Sequence, residues 1–140
     1  MTTAPSLLLD TCAAIWLVGG QPMWEESRRS VIAAQADRSG IHVAPITAWE
    51  IATLASKGKL RLQLAPEAWF ATLLSLPGVS LTPMPPNVLI ASASLPGKPP
   101  RDPADRIIAA TARAYGITVV TRDGELLPYA TAGHLMAIRC

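Results

Sequence analysis

Four acidic side chains of this sequence stand at the ends of predicted strands or on the apolar faces of predicted helices. They are Asp10, Glu50, Asp105 and Asp123. Carboxylates about 4 Å apart repel one another by about 4 kcal/mol per pair at an effective dielectric constant near 20, so a cluster of them takes up protons or cations. An all-oxygen ligand set favours Mg²⁺ or Mn²⁺ over zinc. Such a site suits the positioning of water for in-line attack on a phosphodiester.

Two of these acids follow predicted strands. Asp10 comes directly after the apolar run 7–9, and Asp123 closes the β-branched run 117–121 after one intervening residue. The carboxyl ends of parallel strands lie at one edge of a sheet, where ligands of open α/β sheets bind, so the two acids can converge there. Each also has a local alternative. Asp10 can cap the helix that follows it, and Asp123 with Gly124 is a turn signal.

The other two acids lie on predicted helices. Glu50 falls on or beside the apolar stripe of helix 46–57, where a carboxylate needs a partner or a metal ion. Asp105 faces the packed side of helix 103–115, although an acid in the first turn also suits the helix dipole. Asp102 is most economically the N-cap of that helix.

The rest of the chain alternates between strand and helix patterns. Further strands are predicted at 41–44, 79–84 and 135–138, and further helices before Gly19, at about 23–38, at 66–76 and at 85–95. This alternation predicts an α/β domain with a mainly parallel central sheet flanked by helices. The four tryptophans fall in predicted helices, where packing in the core or at an interface is favoured over base stacking.

Size and composition are compatible with one self-sufficient domain. The chain has 140 residues, half of them hydrophobic, so its core needs no disulfide or structural metal. Cys12 and Cys140 match no metal-binding spacing, which favours a reducing, cytoplasmic location. The first apolar run is short and interrupted by Asp10, so we expect neither a signal peptide nor a membrane span. The formal charge of +2 is compatible with a polyanionic partner.

Basic residues adjoin the acids in the sequence. Arg101, Arg106 and Arg122 are candidates for holding the phosphates that flank a scissile phosphodiester beside the acidic site, and Lys98 lies near them. Ordinary surface charge is the alternative for Lys98 and Arg101. An intrahelical ion pair with Asp102 is the alternative for Arg106.

The acids occur in four segments whose order and spacing resemble those of the PIN domain family, and more narrowly of the VapC toxins of bacterial toxin–antitoxin pairs. The segments are LLDT at 8–11, AWEI at 48–51, RDPADRIIAATA at 101–112 and VTRD at 120–123. The similarity runs from about residue 6 to residue 139. It implies a PIN-like fold and a single PIN domain over residues 1–140.

The resemblance also implies an activity and its partners. It implies a Mg²⁺- or Mn²⁺-dependent endoribonuclease, usually a homodimer, that a cognate VapB-type antitoxin holds inactive. The four acids would be the catalytic and metal-binding residues. Thr11 and Thr121 match hydroxyl positions that support the site, and Asp102 matches a recurrent acid of one subgroup. Cys12 stands where the family often has His or Val, which removes no ligand.

A different class of function remains open on the sequence. The chain could be a non-catalytic, degenerate PIN domain or a receiver-like module that binds metal and a protein partner. A receiver would place a Lys near the acidic pocket late in the chain, and no Lys follows Lys98. A phosphatase with an Asp nucleophile would carry a second acid two residues after Asp10, where Cys12 stands.

Overall fold

The central strand of the sheet is β1 (Leu7–Leu9), whose three leucines are fully buried. A computed structural model describes residues 6–20, 25–37 and 40–140 of the chain, without the side chain of Glu25. The elements that follow β1 are, in chain order, α1 (Thr11–Gly19), α2 (Glu25–Ala36), β2 (Ile41–Val43), α3 (Pro45–Ser56), α4 (Pro66–Ser75), β3 (Val79–Leu81), α5 (Pro86–Ser92), α6 (Pro103–Tyr115), β4 (Thr118–Thr121), α7 (Leu126–Thr131) and β5 (Ala137–Arg139).

All strand pairs in the sheet are parallel, and the strand order is β3-β2-β1-β4-β5. The register aligns Leu9 of β1 with Val43 of β2 on one side and with Val120 of β4 on the other. The carboxyl ends of the three central strands therefore lie at one level. The α/β class and the parallel sheet predicted from the sequence are both confirmed.

Helices cover both faces of the sheet because alternate strand residues point to opposite sides. Leu7 and Leu9 pack in one apolar cluster with residues of α1, α2, α3 and α4, including Ile51 and Trp69. Leu8 packs in a second cluster with residues of α6 and α7. This two-sided burial explains why the strands read as continuous apolar runs. No helix in the described ranges is long and apolar enough to cross a membrane.

Most predicted elements are present with shifted ends. The predicted helix 23–38 is seen as α2, and its outermost residues 23, 24 and 38 lie outside the described residues. The predicted strand 79–84 is too long, since β3 ends at Leu81 before a proline-rich stretch. The closing strand lies later than predicted, at β5. Helix α7 was not predicted, because it is six residues long and contains Pro128.

Candidate active site

Asp10 connects β1 to α1 and is almost completely buried, with 4% of its surface exposed. Its Oδ1 accepts a hydrogen bond from the main-chain N–H of Ala13 at 2.8 Å, so Asp10 is the N-cap of α1. Its Oδ2 accepts from the Thr121 hydroxyl at 2.5 Å. The capping alternative is therefore correct, and it leaves Asp10 at the carboxyl edge of the sheet.

Asp123 lies beside Asp10 because β4 pairs with β1. Thr121 ends β4 and is fully buried, and its Oγ1 accepts the Asp123 main-chain N–H at 2.9 Å. Oδ2 of Asp123 accepts the N–H groups of Glu125 and Leu126, each at 2.9 Å. The turn predicted at Asp123 is thus present, and it directs the chain into α7.

The helices α3 and α6 contribute the other acids. Glu50 is half-buried on α3, and its Oε1 accepts a hydrogen bond from the hydroxyl of Thr11, the first residue of α1. Asp105 is half-buried in the first turn of α6. Asp102 is the N-cap that the sequence predicts: its Oδ1 accepts the N–H groups of Ala104 at 2.7 Å and of Asp105 at 3.4 Å.

These acids line one cavity of about 420 Å³ at the carboxyl edge of the sheet. The residues that line it are Asp10, Thr11, Cys12, Glu50, Asp102, Asp105, Arg122, Asp123 and Gly124. All four acids singled out by the sequence are therefore brought together, from two strand ends and two helices. Of the residues proposed to support them, Thr11 and Asp102 line the cavity, and Thr121 lies behind Asp10.

Burial and repulsion by neighbouring acids raise the pKa of three carboxylates of this cavity, those of Asp10, Glu50 and Asp105. Burial, opposed by the hydrogen bonds from Thr121 and Ala13, raises the pKa of Asp10 to about 6, and the charges of Asp123 and Glu50 add to the rise. Burial and the neighbouring acids, Asp123 foremost, raise the pKa of Asp105 to about 8.

The same causes act on two further groups. Burial raises the pKa of Glu50, although the hydrogen bond from Thr11 opposes the rise. Partial burial and the charges of all four acids raise the pKa of the Cys12 thiol to about 11. The cavity therefore has the electrostatic character of a cation site.

The donor chemistry of the cavity fits a hard divalent cation, since carboxylate and hydroxyl oxygens predominate and no imidazole lines it. Among the described residues, no three acidic, histidine or cysteine side chains already stand in a metal-holding arrangement. Hydrogen bonds to Thr121 and Thr11 instead hold one oxygen each of Asp10 and Glu50.

A family model for the PIN domain matches residues 7–131. The chain belongs to the PIN domain family. It is 35% identical to Ribonuclease VapC22 of Mycobacterium tuberculosis over 129 residues, which cover 90% of this chain and 91% of that protein. The recognition of a VapC-type PIN domain from the sequence is thereby confirmed.

Solved structures share the fold of this PIN domain. The VapBC2 complex of Rickettsia felis with promoter DNA matches with a TM-score of 0.67 at 17% identity, over 95% of this chain and 97% of that one. DNA-bound VapBC of Salmonella typhimurium matches with a TM-score of 0.65 at 20% identity, over 96% and 98%. The PIN-like α/β fold predicted from the sequence is confirmed.

The basic residues of this PIN domain differ in their relation to the cavity. Arg122 is the basic side chain that lines it, among the residues described. Arg101 instead pairs with Glu125, with Nε and Oε1 2.9 Å apart, on the surface. The Arg106 guanidinium reaches the main-chain oxygen of Ser92 at 3.4 Å, and the pair with Asp102, which was its alternative role, is not among the ion pairs of the described residues.

Sequence reasoning missed one contact next to the cavity. The guanidinium carbon of Arg122 lies 3.8 Å from the centroid of the Trp16 ring, a cation–π stack. The sequence favours packing in the core or at an interface for Trp16, and no local pattern pairs two residues so far apart in the chain. Trp69 is buried as expected, whereas Trp49 is 59% exposed on α3.

Proposed function

We propose that this PIN domain, spanning residues 1–140, is the VapC-type toxin of a toxin–antitoxin pair and cleaves RNA as a Mg²⁺- or Mn²⁺-dependent endoribonuclease. The observation that carries the proposal is the convergence of four carboxylates on one cavity at the carboxyl edge of the sheet. The 35% identity to a VapC ribonuclease over nine-tenths of the chain supports the same reaction.

In this proposal Asp10, Glu50, Asp105 and Asp123 hold the metal. A bound Mg²⁺ or Mn²⁺ would lower the pKa of a water molecule and neutralise the charge that develops on the phosphate. Burial and repulsion among the acids disfavour four bare anions, which supports cation binding at this place.

The two threonines orient the acids. The buried Thr121 hydroxyl fixes Oδ2 of Asp10, and the N–H of Ala13 fixes its Oδ1, so the carboxylate has little freedom to rotate. The Thr11 hydroxyl fixes Glu50 in the same way. Such prior ordering reduces the entropy lost when ligands gather around an ion or a substrate.

The partners follow from the proposed class. A VapB-type antitoxin would restrain the toxin, RNA would be its substrate, and a homodimer would be its working form in the cytoplasm. The structural neighbours that are VapBC complexes support the antitoxin. Exposed apolar side chains on helices, among them Trp49 of α3 and Ile90 of α5, supply surface for protein contacts.

The deciding experiment compares metal-stripped protein and Asp10→Asn on a panel of end-labelled structured RNAs. We expect discrete cuts that need added Mg²⁺ or Mn²⁺ and that disappear in the variant. Metal-dependent cleavage that survives Asp10→Asn would remove the proposed site. An absence of cuts by folded, metal-binding protein would overturn the nuclease and favour the non-catalytic module.

A further inference from the structure

The cavity that holds the four acids also has a positively charged side chain in its lining, that of Arg122. Arg122 lies between Thr121 and Asp123 at the end of β4 and lines the cavity. Among the described residues it forms no ion pair with a carboxylate, although five carboxylates line the same cavity. Neutralising the acids is therefore not what its side chain does in this structure.

Two contacts hold the guanidinium in place. Its carbon lies over the Trp16 ring, 3.8 Å from the ring centroid. Its Nε donates to the main-chain oxygen of Cys140 at 3.3 Å. Within residues 6–20, 25–37 and 40–140, no hydrogen bond or ion pair occupies its terminal Nη groups, and the side chain is exposed to solvent. A planar cation with free paired N–H groups matches the oxygens of a phosphate.

Trp16 lies on one of the elements that position the acids. It lies on α1, the helix that Asp10 caps, and it is half-buried against the core cluster that includes Leu7 and Leu9. Arg122 is tied to the same acids through its neighbours Thr121 and Asp123. The stack is therefore built on the same two elements, α1 and the end of β4, that position Asp10 and Asp123.

We propose that Arg122 binds a backbone phosphate of the RNA next to the scissile one, and that Trp16 is the positioning residue that holds the guanidinium for this contact. This inference rests on the proposed ribonuclease function and adds the group that aligns the substrate. Without a cation at the rim, a polyanion would meet only acids on entering the cavity. The stack also lowers the entropy cost of binding, because the guanidinium is already ordered.

Steady-state cleavage kinetics with Arg122→Gln, Arg122→Lys, Trp16→Leu and Trp16→Phe test the proposal. Loss of a charge-assisted contact made equally in the ground and transition states raises KM for RNA by on the order of tenfold in Arg122→Gln, with kcat little changed. Arg122→Lys keeps the charge but not the planar stack, and restores KM in part. Trp16→Leu raises KM, and Trp16→Phe, which keeps an aromatic face, restores it in part.

A double variant separates positioning from general destabilisation. If Trp16 acts through Arg122, Trp16→Leu raises KM in the wild type but not in the Arg122→Gln background. An equal rise in both backgrounds would overturn the positioning role. Arg61→Gln is the matched control, since Arg61 is exposed and lines a different cavity, between α1 and the segment before α4. Thermal unfolding of each variant checks that it is folded.

A binding titration keeps this inference distinct from the ribonuclease itself. Fluorescence anisotropy of a labelled single-stranded RNA is followed over a salt series with Asp10→Asn, with and without Arg122→Gln. Loss of one phosphate contact weakens binding and reduces the slope of log K against log salt by about 0.7. An unchanged slope and affinity would overturn the Arg122 contact even if the wild type cleaves RNA. If the wild type binds RNA but never cleaves it, the proposed ribonuclease function is overturned. The salt titration then still tests whether Arg122 contacts a phosphate.

Discussion

The hydroxyl of Thr121 at the end of β4 donates to Oδ2 of Asp10 at the end of β1, joining two neighbouring strands at the edge where the acids meet. The hydroxyl oxygen of Thr121 also accepts the main-chain N–H of Asp123. One fully buried side chain thus orients Asp10 and anchors the turn that carries Asp123.

We expect Thr121→Val to lower the free energy of unfolding by about 1–2 kcal/mol, because it leaves a buried acceptor and a buried N–H without their partner. It also removes a hydrogen bond that lowers the pKa of Asp10, so that pKa rises further. Urea denaturation measures the stability. Thr121→Ser keeps the hydroxyl and is the control; a loss in Thr121→Val no larger than that in Thr121→Ser would contradict the contribution assigned to the hydroxyl.

Glu50→Gln should weaken Mn²⁺ binding measured by calorimetry, because it removes a charged oxygen from the cavity while keeping the side-chain shape. Glu67→Gln is the control, since Glu67 is exposed in the first turn of α4, outside the cavity. Unchanged Mn²⁺ affinity in Glu50→Gln would leave Glu50 with the structural role of accepting the Thr11 hydroxyl.

The stability of the metal-free protein should fall as the pH rises from about 4 to about 8. The pKa of Asp105 rises from 3.8 to about 8 on folding, so within this window the folded chain holds a proton that the unfolded chain has released. Asp10, with a pKa of about 6, adds to the fall in the lower part of the window. Thermal unfolding in chelator across this pH range measures the effect.

Two comparisons sharpen this pH prediction. Asp105→Asn cannot titrate, so its stability should depend less on pH. Added Mg²⁺ or Mn²⁺ should raise Tm more at about pH 8 than at about pH 5, because the ion binds the deprotonated carboxylates. A stability that increases with pH through this window, or a metal effect that is larger at the acid end, would contradict the raised pKa values.

Asp102→Ala should lower the free energy of unfolding by about 1 kcal/mol, because it removes the side-chain cap of α6. Asp102→Ser restores an N-cap without the charge. We expect this variant to regain the stability lost in Asp102→Ala and to cleave RNA as the wild type does. Cleavage that stays low in a stable Asp102→Ser protein would instead give the Asp102 carboxylate a direct part in the site, as its position in the cavity lining permits.

The positions of the acids in the fold are easier to predict from the sequence than the contacts around them. Asp10 and Asp123 are recognisable because a carboxylate ends an apolar run, and parallel strands bring such ends together. The cap at Asp102 follows from its own neighbours, which include Pro103. The short helix α7 lacks a full period of the apolar pattern, and Pro128 within it reads as a break.

Contacts between distant segments could not be predicted in the same way. The ion pair between Arg101 and Glu125 joins two segments that are distant in sequence. It engages an arginine for which the sequence offered either an RNA phosphate or ordinary surface charge. The stack of Trp16 on Arg122 depends on β4 lying next to β1 with the register observed. Such pairings depend on the packed tertiary structure, which local periodicity does not encode.

The central position of β1 has a consequence for synthesis of the chain. Its neighbour β4 begins at Thr118, so β1 is synthesised long before the strand that completes the cavity. Pairing of strands so distant in sequence is slow and comes late in folding. Asp10 and Asp123 therefore meet only after β4 has been made. Nascent fragments that end before β4 lack Asp123 and cannot assemble the four-acid cavity, so, on the proposed function, they cannot cleave RNA.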